Sequence, residues 1–220
     1  MAEFTSDPVG KSVPRIDTFE KVTGSATFAD DMQFGPGLYY GRLVRSPHAH
    51  ALIKGIDISK ALAAPGVKAV VTGDDVPDNI GLYLIDRPIL ARERVRYVGE
   101  PVAGVVARTE EQAEEAARLV EVEYEELEAV FDPVEGAQSD APLIHPNLGD
   151  YHVEPFIFPQ PGTNISEHFK LRRGDVEPAW PQCAAIVEGT FRLPQIQHVP
   201  IEPHIAVGLW EPSGQVTLWT

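Results

Sequence analysis

His48-Ala49-His50 sets two imidazoles two residues apart, on one face if the backbone is extended. Two histidines do not make a metal site. A carboxylate or a third histidine at matching spacing is needed, and the residues that follow are Ala51-Leu52-Ile53-Lys54. A role in a turn or at an interface is the expectation. His198, Glu202 and His204 come closer to a donor set, because two histidines and a carboxylate can form a facial triad for ferrous iron. Pro200 and Pro203 break regular geometry between them, and the spacing is not that of H-E-x-x-H. A hydrogen-bonded polar cluster near a domain interface is expected there. A small self-contained iron site is the alternative, and it would predict stoichiometric iron.

Glu100 stands in Val98-Gly99-Glu100-Pro101-Val102, just ahead of an apolar run. Buried, it would keep its proton to higher pH and could act in proton transfer. A turn facing solvent is the commoner home for a glutamate and is the expectation. Cys183 is the single cysteine, so it can form no internal disulfide and cannot by itself hold an iron–sulfur cluster. A free thiol fits a reducing cytoplasm. No glycine-rich nucleotide cradle and no nucleophile elbow occurs. From these residues alone no catalytic, cofactor-binding or metal-ligating set is assigned.

The elements that would position these groups are short. Leu38 to Arg45, Ala51 to Ile56 and Val67 to Thr72 read as strands, with a helix over Lys60 to Ala64 capped by Ser59. Arg94 to Val98 alternates and is expected to be a strand. Val102 to Ala107 is a near-continuous apolar run, the pattern of a strand covered on both faces. Thr109 then caps a helix, with Gln112 completing a capping box. Ala113, Ala116, Ala117 and Val120 form its narrow apolar stripe, and Val120 to Tyr124 returns as a strand. Further on, Ala184 to Arg192 looks strand-like. Ile205 to Trp210 and Val216 to Trp219 read as a hairpin across Glu211 to Gln215. The sequence stops within that apolar strand, so a piece of something larger is expected, with an edge at Leu218 and Trp219 that invites association.

The resulting fold class is α+β. Residues 1–13 are expected to be a mobile N-terminus, 14–132 a complete domain, 133–164 an extended proline-rich linker, and 165–220 the incomplete start of a second domain. The formal net charge of −15 repels phosphate backbones, which argues against nucleic-acid binding. No stretch approaches the length of a membrane span, and Met1 to Asp7 has no leader-like pattern.

In their order, these segments resemble the molybdenum-binding large subunit of the xanthine dehydrogenase/aldehyde oxidase family. Pro14-Arg15-Ile16-Asp17, Lys21-Val22-Thr23-Gly24-Ser25-Ala26 and Asp30-Asp31 look like its entry motif. Arg45-Ser46-Pro47-His48-Ala49-His50-Ala51, Pro65-Gly66-Val67 and Val98-Gly99-Glu100-Pro101-Val102-Ala103 fit its α/β hammerhead domain. Gly174-Asp175-Val176, Glu188-Gly189-Thr190-Phe191 and Gln197-His198-Val199-Pro200-Ile201-Glu202-Pro203 look like the opening of its molybdopterin-binding domain.

The resemblance implies the N-terminal portion of a molybdenum hydroxylase, oxidising an aldehyde, an N-heterocycle or an aromatic carbon with oxygen from water. The complete enzyme would carry a molybdopterin–molybdenum cofactor. The [2Fe–2S] clusters and FAD would sit on other domains or subunits. The implied partners are the remainder of the molybdenum subunit, an iron–sulfur subunit, an FAD subunit and a small-molecule substrate. The family's glutamine beside molybdenum lies just beyond a strand resembling Val216 to Thr220, and its general-base glutamate lies much further on. The resemblance therefore carries no catalytic residue onto this chain. It implies an architectural role, with His198 and Glu202 near a domain seam. A non-catalytic assembly or binding module derived from that subunit is the alternative.

Overall fold

The computed structural model describes residues 9–220. Residues 1–8, most of the expected mobile N-terminus, lie outside them. The chain divides into two compact units, Gly37–Ile186 and a smaller one that joins the segment up to Pro36 with Val187–Thr220.

In the smaller unit, helix α1 (Thr18–Thr23) is closed by Gly24 in the left-handed region at φ 72°. A 3-10 turn follows at Ala29–Asp31.

The larger unit is built around one strand. β1 (Tyr40–Arg45) and β2 (Ala51–Asp57) are followed by the short helix α2 (Ser59–Leu62) and β3 (Val67–Thr72). The cap of α2 differs from expectation. The Asp57 carboxylate accepts from the Ser59 amide at 2.9 Å, so Ser59 begins the helix and Asp57 satisfies it. Three two-residue strands come next: β4 (Asn79–Ile80), β5 (Arg87–Pro88) and β6 (Arg94–Val95). β6 is shorter than the alternation over Arg94 to Val98 suggests, because the chain turns at Tyr97, where the Glu100 amide donates back to the Tyr97 carbonyl.

β7 (Pro101–Ala107) lies between β1 and β3, antiparallel to both. Helix α3 (Glu110–Ala117) and β8 (Glu121–Glu126) complete the unit, and a second antiparallel sheet runs β6-β2-β8. Both faces of β7 are covered. Ala103 and Val105 pack with Ala61, Val70, Ala116 and Val120. Val102 packs from the opposite face with Ala51, Ala91 and Val95. Val95, Val102 and Val105 are completely buried, and each such side chain contributes on the order of 2 kcal/mol.

Thr109 Oγ1 accepts from the Gln112 amide at 3.2 Å, as the capping pattern predicts. The reciprocal half of the box is not made. Gln112 Oε1 is buried without a hydrogen-bond partner, and its carboxamide fills the space a Cβ on Gly66 would need.

Past β8, helix α4 (Pro133–Gly136) is capped by Asp132, whose carboxylate accepts from the Val134 and Glu135 amides. The proline-rich stretch beyond it is tied down as a strap. Leu84 and Val153 form a bridge, the Ile85 amide donates to the His152 carbonyl, and the Glu154 amide donates to the Tyr83 carbonyl. Leu148 and Ile157 on the strap are buried. A 3-10 turn spans Glu177–Gln182.

No strand forms over Ala184 to Arg192. Val187 and Phe191 are 93% and 92% exposed there, and no neighbouring strand pairs with the segment. The smaller unit ends in the expected antiparallel hairpin of β9 (Val207–Trp210) and β10 (Val216–Trp219), where Trp219 meets Phe34 edge-on at 4.9 Å. Among the described residues no helix is long and apolar enough to cross a membrane.

Candidate functional site

The candidate residues of the larger unit converge where the β1–β2 turn meets the turn before β7. Ser46 is 2% exposed and holds that junction from both sides. Its amide donates to the Glu100 carbonyl, and its carbonyl accepts from the Gly99 amide. Arg45 adds a guanidinium bond to the Gly99 carbonyl at 2.8 Å. Gly99 sits at φ 91°, a conformation a side chain would strain, which explains the glycine of the Val-Gly-Glu-Pro segment.

Glu100 is buried at 2% exposure, contrary to the solvent-facing expectation. Desolvation pushes its carboxyl above the ordinary range, opposed by the Arg96 amide that donates to it and by the Arg96 charge. Arg96 Nη1 stands 3.9 Å from Glu100 Oε1. The carboxylate thus closes the turn between β6 and β7. Pattern alone did not reveal this, because a single glutamate beside a proline reads as a surface turn.

The two neighbouring histidines are not brought together on one target. His48 Nδ1 lies 3.1 Å from the Glu126 carboxylate, and its ring tilts against Tyr124 at 4.8 Å. His50, 4% exposed, places Nδ1 2.6 Å from the Glu128 carbonyl and Nε2 2.9 Å from Arg94 Nη1. Arg94 can only donate, so His50 Nε2 is the acceptor and the ring is the neutral Nδ1–H tautomer.

Arg94 and Arg96, not singled out from the sequence, hold the strap. Arg94 donates to the Leu143 carbonyl and Arg96 to the Ile144 carbonyl, both at 3.3 Å. Val95 between them is buried, so the Arg-Val-Arg alternation was the available signal for two cations on one face. Burial, with Arg96 beside it, lowers the Arg94 pKa. Next along the strap, His145 is pushed below its ordinary value of 6.5 by burial and by both arginines, with Asp86 opposing. Asn164 finishes the attachment. Its Oδ1 accepts from the Ile144 amide, and its Nδ2 donates to the carbonyls of Gly136 and Pro142.

In the smaller unit His198, Glu202 and His204 are all exposed, and Val199 between them has φ 46°, far from strand geometry. Among the described residues no three histidine, cysteine, aspartate or glutamate side chains gather as a metal site would require. Cys183, the one thiol, is exposed. An open cleft of about 460 Å³ is lined by Tyr39, Gly66, Val67, Lys68, Arg108 and Gln112, none of them a candidate above. The donors of this network do not fit a molybdenum centre, since the buried polar groups are engaged with one another.

A β7-centred sheet with α3 behind it, a second small sheet and a tied strap define a hammerhead-type domain. Residues 23–128 match the aldehyde oxidase and xanthine dehydrogenase a/b hammerhead domain, and residues 157–220 match the molybdopterin cofactor-binding domain. The chain belongs to the xanthine dehydrogenase/aldehyde oxidase family, on its molybdenum-binding large subunit.

It is 35% identical over 212 residues to the nicotinate dehydrogenase large molybdopterin subunit of Eubacterium barkeri, covering 96% of this chain and 46% of that protein. It is 32% identical over 217 residues to the xanthine dehydrogenase molybdenum-binding subunit of Escherichia coli O157:H7, covering 93% and 27%. Among solved structures, the aldehyde oxidoreductase from Desulfovibrio gigas matches with a TM-score of 0.74 and 31% identity, over 93% of this chain and 23% of that one. Quinoline 2-oxidoreductase from Pseudomonas putida 86 matches with a TM-score of 0.72 and 30% identity, over 96% and 26%. The chain spans about half the length of the first of these relatives and about a quarter of the others.

Proposed function

We propose that this chain supplies the hammerhead domain and part of the cofactor domain of a molybdenum hydroxylase catalytic subunit. The observation that carries this reading is the succession of the two family domains in one chain. The overall reaction takes hydride-equivalent electrons from an aldehyde or an electron-poor aromatic carbon and places an oxygen from water there. The molybdopterin–molybdenum cofactor would accept the two electrons, which leave through [2Fe–2S] clusters to FAD on partner domains or subunits.

This chain's share is architectural. Ser46 and Glu100 fix the junction of the β1–β2 turn with the turn before β7, Arg94 ties His50 to the strap at Leu143, and the strap leads on into the region matched to the cofactor domain. The remaining residues of the molybdenum subunit, an iron–sulfur subunit and an FAD subunit are the partners of this reading, and the cytoplasm its setting. Alone, the chain is inactive.

The test is to purify the chain with the polypeptides encoded beside it and assay aldehydes and N-heterocycles with an artificial electron acceptor in water enriched in oxygen-18. Label in the product supports the reading. Turnover with label only from dioxygen, or no turnover with any of these substrates, overturns it.

A further inference from the structure

We propose that the strap is an acid-sensitive clasp, held closed on the hammerhead domain by a neutral His145 and loosened when that ring takes a proton. His145 Nδ1 faces the Tyr151 hydroxyl at 3.1 Å, and the two rings meet edge-on at 5.6 Å. Its Nε2 faces Asp86 Oδ2 at 3.9 Å, beyond a good hydrogen bond. Asp86 comes from the loop ahead of β5, and Tyr151 from the strap itself.

From β6 and the residue after it, Arg94 and Arg96 reach the carbonyls of Leu143 and Ile144, the two residues directly before His145. The same guanidiniums that fasten the strap are therefore the charges a protonated His145 would oppose. Around them lie Glu93, which acts on Arg94, and Glu100, which faces Arg96 and also feels Arg87. His50 stands against Arg94 as a hydrogen-bond acceptor and adds no negative charge there.

The sign follows from the depressed His145 pKa. Well above pH 6.5 the ring is neutral whether the strap is docked or free, and the clasp is at full strength. As pH falls below 6.5 toward the lower docked value, the free strap binds the proton first, and docking weakens.

Amide hydrogen exchange on the full chain tests this. Ile85, Ile144 and Glu154 report strap contacts, and Val105 in β7 reports the core. Between about pH 7.5 and 5.5, strap opening relative to the core is expected to rise severalfold, by at most about tenfold per pH unit for one proton. His145→Gln should flatten that response. Asp86→Asn, which removes a carboxylate facing the ring, should enlarge it. An unchanged acid response in His145→Gln, an unchanged one in Asp86→Asn, or no response in the parent chain overturns the proposal.

Discussion

Arg94 Nη1 donates to His50 Nε2 at 2.9 Å, and through the same nitrogen reaches the Leu143 carbonyl. One guanidinium thus joins the β1–β2 turn to the strap. His50→Ala removes an acceptor from Arg94 and a donor from the Glu128 carbonyl inside a buried site. A loss of about 2–3 kcal/mol is expected in urea unfolding. His50→Gln, which retains an acceptor and a donor, should lose less.

Asn164 satisfies three backbone groups of the strap and α4 at once. Asn164→Ala leaves the Ile144 amide and two carbonyls to find water, and about 2–4 kcal/mol should be lost. Asn164→Asp retains the acceptor but sets a charge against the Gly136 and Pro142 carbonyls, so it should not rescue stability. Urea midpoints of the two variants decide this.

Burial raises the Glu100 pKa, so its folded carboxyl favours the proton. Its contribution is therefore fullest below the unfolded value of 4.5 and declines as pH rises through the folded value. Glu100→Gln should be at least as stable as the parent at pH 7 and should show a flatter stability profile across the mildly acid range. Glu100→Ala should lose about 2 kcal/mol, because the Arg96 amide is left without its acceptor. Chemical denaturation at a series of pH values separates these outcomes.

Ala116 is fully buried where α3 meets β7. Ala116→Leu overfills that contact and should cost about 1–3 kcal/mol, whereas Thr109→Ala, which removes only the cap, should cost about 1 kcal/mol. Thermal unfolding of both variants gives the ranking, and an Ala116→Leu protein as stable as the parent would contradict the packing described.

The parts of the fold legible in the sequence are those written in local period. Val102 to Ala107 reads as a doubly covered strand because nearly every residue is apolar. The stripe of Ala113, Ala116, Ala117 and Val120 reads as an apolar face by its spacing, and Ala113 and Ala116 are fully buried on α3 while Val120 is buried just past its end. The β9–β10 hairpin reads from its turn. Less legible were features made by distant pairing. Ala184 to Arg192 has strand-like composition, yet no neighbouring strand takes up its backbone. The proline-rich stretch reads as an extended linker, because no local pattern encodes the bonds that Arg94, Arg96 and Asn164 make to main-chain groups along it. The burial of Glu100 is illegible for the same reason: it depends on a turn closed by Ser46 and Gly99, which no local pattern encodes.

Molybdenum and pterin analysis tests the central claim most directly, on this chain purified by itself and together with the remaining residues of the molybdenum subunit. The account predicts stoichiometric molybdenum and pterin in the combined protein and neither in the isolated chain. A combined protein that assembles fully yet carries no molybdenum would contradict it.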